Sequence, residues 1–146
     1  MITTINEWKQ INKYYENDAI GYDIGKYLYH VTPKENLKNI KRNGFEPNDG
    51  TTIRGEDFEN RLYFATSLIA AYDLSVNFSS YKTDEDLYII KLKSDCIDKN
   101  DYEEDPLFLH GIYIDYNVSN NCIISIIEAD DLFNKFDDED IENLYL

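Results

Sequence analysis

Glycine (6 residues) and proline (3) are scarce in this 146-residue chain, so no Gly/Ser-rich or Pro-rich stretch is available to link two domains. The two cysteines are too few for a disulfide framework. Cys96 and Cys122 do not stand at metal-ligand spacing with His30 and His110, so no metal site is expected and the cysteines read as buried reduced thiols. No apolar run approaches the roughly 18–20 residues of a membrane span. The first residues, Met1-Ile2-Thr3-Thr4-Ile5-Asn6-Glu7-Trp8, lack the basic start and apolar core of a signal peptide. A cytoplasmic protein without membrane contact is the expectation. Basic residues are also short: 14 Lys and Arg stand against 29 Asp and Glu, for a formal charge of −15. Tracking a phosphate backbone needs clustered Lys and Arg that displace counterions, so direct nucleic-acid binding is excluded as an expectation. A Gly-rich phosphate loop, a G-x-S-x-G elbow and an H-E-x-x-H helix are all missing, which leaves kinase and hydrolase readings without residues.

What is present is the composition of one globular domain, 42% hydrophobic and 29% charged. Thr4-Ile5-Asn6-Glu7 forms a capping box, and Ile5, Trp8, Ile11 and Tyr15 recur at helical spacing, predicting a helix over 4–16. Gly25 to Val31 reads as a strand. Thr32-Pro33 with Glu35 predicts a capped short helix that buries Leu37 and Ile40 and stops at Asn43-Gly44. The polar segment from Glu46 to Asn60 reads as a loop. A strand over 61–65, a helix from Leu68 to about Phe78, and a strand over 87–93 follow, then an acidic loop from Asp95 to Pro106. Two further strands are expected at 111–116 and 121–127. The last eighteen residues hold Leu132, Phe133, Phe136, Ile141 and Leu144 among seven acids, predicting an amphipathic acidic helix over 129–146. Strands without a β-α-β rhythm predict an α+β domain with a mainly antiparallel sheet.

The segments Tyr29-His30-Val31-Thr32, Asn36 to Phe45, and Leu62-Tyr63-Phe64-Ala65-Thr66-Ser67 with Ala70-Ala71-Tyr72 resemble, in order and spacing, the ADP-ribosyltransferase-like superfamily of poly(ADP-ribose) polymerases and the diphtheria-toxin group. The resemblance covers about residues 26–127. It implies a single domain built on a split, mainly antiparallel sheet and a cleft that takes NAD as cosubstrate. By the same resemblance, His30 holds a ribose hydroxyl, the backbone of Val31 holds the nicotinamide carboxamide, Thr32 supports the pocket edge, and Tyr63 lines the nicotinamide slot. Tyr72 is a candidate second stacking ring, although Leu74 takes that place in a gap-free match. Where the family carries a catalytic glutamate, this chain places His110. An imidazole bonds a hydroxyl but brings no negative charge, so Asp115, or the loop acids Glu103, Glu104 and Asp105, are the carboxylates that stand in for it.

Core packing is the alternative for each of these residues: His30 as a capping or core histidine, Tyr63 and Tyr72 as core aromatics among thirteen tyrosines. The leading functional expectation is a small transferase that moves ADP-ribose from NAD to a protein and releases nicotinamide. The negative surface favours a basic protein target, for example one that itself binds nucleic acid. Two other readings stay open. One is a non-enzymatic acidic inhibitor on the same fold, like the small anti-defence proteins that phages encode. The other is a module that binds NAD or a nucleotide signal without transfer.

Overall fold

Seven consecutive register pairs, Tyr27↔Lys93 through Pro33↔Leu87, join the strand β1 (Tyr27–Pro33) to β3 (Leu87–Lys93) and form the spine of the molecule. The structure, a computed structural model, describes residues 21–47, 60–82, 86–132 and 135–144. The expected helix over 4–16 and most of the expected loop between Glu46 and Asn60 lie outside the described residues. β2 (Leu62–Ala65), β4 (Glu103–Glu104), β5 (Gly111–Ile114) and β6 (Ile123–Glu128) complete one sheet in the order β4-β5-β2-β1-β3-β6. Every pairing is antiparallel, as the α+β expectation requires. Among the described residues three α-helices accompany it: α1 (Leu37–Asn43), α2 (Leu68–Lys82) and α3 (Asp138–Leu144).

The sheet is split. β1 and β2 share the single pair Tyr29↔Ala65, so the halves β4-β5-β2 and β1-β3-β6 meet at one point. Both faces are covered. Tyr29, Val31, Ile89 and Ile127 pack beneath α2 through Ala70 and Ala71, whereas Leu28, Phe64, Ile90, Ile112 and Ile126 pack against Leu37 and Ile40 of α1. Burial on both faces explains why Leu87-Tyr88-Ile89-Ile90 is a continuous apolar run rather than an alternating one. Lys91 is fully buried in the same strand. Its ammonium lies 3.7 Å from the centroid of the Tyr27 ring, an arrangement that offsets part of the desolvation of the charge.

Four local expectations need correction. Thr32 does not cap a helix: the ladder with β3 holds β1 extended through Pro33, the Lys34 N–H donates to the Asp86 carbonyl (3.1 Å), and Thr32 Oγ1 accepts from Asn36 Nδ2 (3.2 Å). The turn Lys34–Asn36 is a 3-10 helix without a side-chain cap. The acidic loop contains a two-residue strand, β4. The acidic helix expected over 129–146 is broken into a 3-10 turn, Ala129–Leu132, and the short α3. α3 starts afresh because Asp137 and Asp140 cap each other's backbone N–H, at 2.9 and 3.0 Å.

The fourth correction concerns the cysteines. Cys96 follows β3 and Cys122 precedes its sheet neighbour β6, and the two form a disulfide with Cα atoms 6.1 Å apart. Closing a loop between residues 26 apart in sequence stabilises the fold by about 3 kcal/mol in the chain-entropy account. The paired substitution Cys96→Ser/Cys122→Ser is therefore expected to lower the unfolding free energy in urea by about that much. An unchanged midpoint under non-reducing conditions would contradict it.

Candidate functional site

At the split, the imidazole of His30 takes over from the backbone ladder. Its Nδ1–H donates to the Tyr63 carbonyl at 2.7 Å. The ring stands edge-on to Phe45 (centroids 5.3 Å apart) and tilted to Phe64 (5.7 Å). His30 thus points to the α1 face, with Leu28 and Phe64. Strand alternation directs the Tyr63 ring to the opposite face. The structure couples the two residues through a backbone carbonyl and does not bring their rings together.

The other predicted residues divide between core and surface. Val31 is buried opposite Ile89, two residues past Tyr29, where β1 leaves β2. Thr32 is buried, bonded as described above. Tyr72 is also buried and packs on Phe136, with centroids 5.6 Å apart. Burial first, then the charges of Asp130 and Asp138, push its phenol pKa up. Its neighbours therefore belong to the C-terminal segment rather than to Tyr63. His110, only 1% exposed, is a clasp in the interior: Nδ1 accepts the Gly21 N–H at 3.0 Å, and its carbonyl receives the Thr66 N–H at 2.9 Å. The structure thus places the His110 side chain in the core. Asp115 is exposed in the bend just past β5.

Around Tyr63 the structure assembles a different group. Tyr63 faces Tyr113 across β2 and β5, and Tyr113 faces Glu103 across β5 and β4. Glu103, Tyr113 and Tyr63 thus form one cross-strand row on the face that α2 shares. The Tyr63 and Tyr113 rings lie 5.5 Å apart. Arg61 completes the shelf: Nη1 donates to the Tyr63 hydroxyl at 3.2 Å, and the guanidinium sits 4.4 Å from the Tyr113 centroid. The Tyr63 hydrogen bond, and after it the influence of Tyr63, Tyr113 and Asp105, raises the guanidinium pKa against a smaller desolvation effect. Arg61, Tyr63 and Tyr113 are each half-buried, and Glu103 is exposed. Two aromatic faces, a guanidinium fork and a carboxylate at the end of the row suit a planar ring that carries phosphate. Sequence reasoning missed Arg61 and Tyr113. Period-2 alternation from Tyr63 gives Arg61, but Tyr113 depends on the β2–β5 register.

A second charged feature lies at the opposite edge of the sheet. One carboxylate oxygen each from Asp86, Glu128 and Asp130 lie within 4.8 Å of one another. Desolvation, followed by repulsion from Asp86 and a hydrogen bond with it, pushes the Glu128 carboxyl above the usual carboxylate range. With Asp131 and the acids of α3, this edge is strongly negative.

No protein-family model matches the chain, and no curated protein matches it. The solved structure EcPltA is similar, with a TM-score of 0.48 and 16% identity over 70% of this chain and 75% of that one. The functional reading accordingly rests on the geometry of the site and on the sequence resemblance. Among the described residues, no helix is long and apolar enough to cross a membrane.

Proposed function

We propose that this chain is a small NAD-dependent ADP-ribosyltransferase that modifies a protein. The carrying observation is the Glu103–Tyr113–Tyr63 row with Arg61, half-exposed beside a sheet split at a single register pair. In this reading Tyr63 offers its ring to nicotinamide, Arg61 receives the pyrophosphate, and Val31 at the split faces the carboxamide. Glu103 supplies the negative charge that His110 does not. NAD supplies the ADP-ribosyl group: the bond from the ribose anomeric carbon to nicotinamide breaks, nicotinamide leaves with the electron pair, and a nucleophile on the target takes its place, losing a proton to solvent. A carboxylate near the ribose stabilises the positive charge that develops there.

The negative edge around Asp86, Glu128 and Asp130 supports a basic protein as acceptor, steered by charge. The disulfide supports folding or action in an oxidising compartment over the cytoplasm expected from the sequence. A second reading is binding of NAD or a related nucleotide without transfer. It is favoured by the exposure of Glu103 to solvent, which screens its charge, while the buried Asp105 carboxylate is engaged by the Leu107 N–H at 2.9 Å.

The two readings separate in an assay for nicotinamide release from NAD with a basic acceptor protein. Glu103→Gln is expected to lower the rate by roughly 100-fold or more with NAD affinity little changed, while Asp115→Asn retains it. Equal rates for wild type and Glu103→Gln would remove Glu103 from the chemistry.

A further inference from the structure

On the α1 face, away from the Tyr63 shelf, lies an open groove with a cavity volume of ≈ 680 Å³, lined by Lys34, Leu37, Lys38, Lys41, Arg42 and Tyr88. Its position follows from the fold. The Lys34 N–H bond to the Asp86 carbonyl fixes the start of the helical segment against β3, and buried Leu37 and Tyr88 form the floor. Lys34, Lys38, Lys41 and Arg42 follow at spacings of four, three and one; the steps of four and three stack the three lysines along one wall, and Arg42 lines the same groove.

This wall inverts the charge of the molecule. The chain has 29 acids to 14 basic residues, yet four of the basic residues line one groove. Among the described residues none of the four takes part in a salt bridge; the pair formed by Lys99 and Asp95 lies elsewhere, after β3. The carboxylates that reach the groove, Glu128 and Asp86, act on Tyr88 at its floor and form no salt bridge with the four cations among the described residues, so the cations repel one another, and an anion seated between them relieves that repulsion. We infer that the groove is a binding site for a compact, multiply charged small-molecule anion of the di- or polyphosphate class. A volume of this size is typical of small-molecule sites. The lysine stems and Leu37 give the walls an apolar lining, with the charged heads at the rim.

Size decides against a macromolecular polyanion. A nucleic acid or an acidic protein would meet the field of the other acids along its whole approach. A compact phosphate seated in the groove has these four cations within about a Debye length and is screened from the far side of the molecule. The inference stands independently of the NAD reading, because the two sites lie on opposite faces of the sheet.

The test is calorimetric titration of the full chain with inorganic pyrophosphate, compared with orthophosphate and with a polyglutamate peptide. Saturable pyrophosphate binding, weaker for orthophosphate and absent for the peptide, is expected. Lys41→Gln/Arg42→Gln, both exposed positions, is expected to weaken pyrophosphate binding by about tenfold or more. Lys99→Gln is expected to leave it unchanged, and both variants are expected to keep the NAD affinity of the wild type. Absence of saturable heat, tighter binding of the peptide, or equal affinity in the wild type and the double variant would each overturn the inference. Loss of NAD binding with pyrophosphate binding intact would instead count against the shelf alone.

Discussion

Tyr63→Ala is expected to weaken NAD binding by about fivefold to 150-fold, since stacking of a base on an aromatic side chain contributes about 1–3 kcal/mol. The substitution removes one of the two rings of the shelf and the hydroxyl that accepts the 3.2 Å hydrogen bond from Arg61. The fold should survive. Tyr63 is half-buried, the second residue of a four-residue strand, and its ring pair with Tyr113 contributes only about 0.5–1.5 kcal/mol beyond area burial. Tyr63→Phe divides the two roles: the ring stays, the Arg61 bond goes, and most of the affinity is expected to remain. Calorimetric titration with NAD beside a thermal melt of each variant checks both statements. Unchanged affinity in a folded Tyr63→Ala protein would show that the shelf does not take the ligand.

The largest effect on stability is expected at Gly44. Its N–H closes α1 on the Ile40 carbonyl at 2.9 Å, and its φ of +83° reverses the chain so that Phe45 can exchange backbone hydrogen bonds with Val118, at 2.8 and 3.0 Å. A Cβ at this position would run into the carbonyl oxygen of Val118 and crowd the backbone of Ser119 and Asn120. Gly44→Ala therefore combines an unfavourable backbone conformation with a steric collision against backbone that also holds the disulfide-bearing turn. A loss of about 3 kcal/mol or more is expected, seen as a lower urea midpoint. Gly21→Ala is the comparison: its φ is +64°, but nothing lies within 4 Å of an added Cβ, so the loss there is expected to be smaller. Equal losses at the two glycines would contradict the collision as the cause.

Much of this architecture is legible in the sequence because it is local. The run Leu87 to Lys93 identifies β3 to the residue, and Asn43-Gly44 identifies the end of α1, since each depends on a few adjacent side chains. The split sheet also follows the resemblance. What the sequence hides is set by partners distant in the chain. Thr32-Pro33-Glu35 is a sound local cap signal, yet the ladder with β3 overrides it. Cys96 and Cys122 meet only because β3 and β6 are neighbours. His110 looks like a substitute for a glutamate, and its burial against Gly21 and Thr66 emerges only in three dimensions. The same holds for the row of Tyr63, Tyr113 and Glu103: 62–65, 111–114 and 103–104 are separate in sequence, and only their antiparallel register makes one site of them.

The central claim is that the shelf on β2, β5 and β4 binds NAD for transfer. It is tested most directly by calorimetric titration of the intact, disulfide-bonded chain with NAD, followed on the same sample by an assay for free nicotinamide after adding a basic acceptor protein. Saturable heat followed by nicotinamide release is the predicted result. A folded protein that gives no saturable heat at millimolar NAD and releases no nicotinamide would contradict the claim.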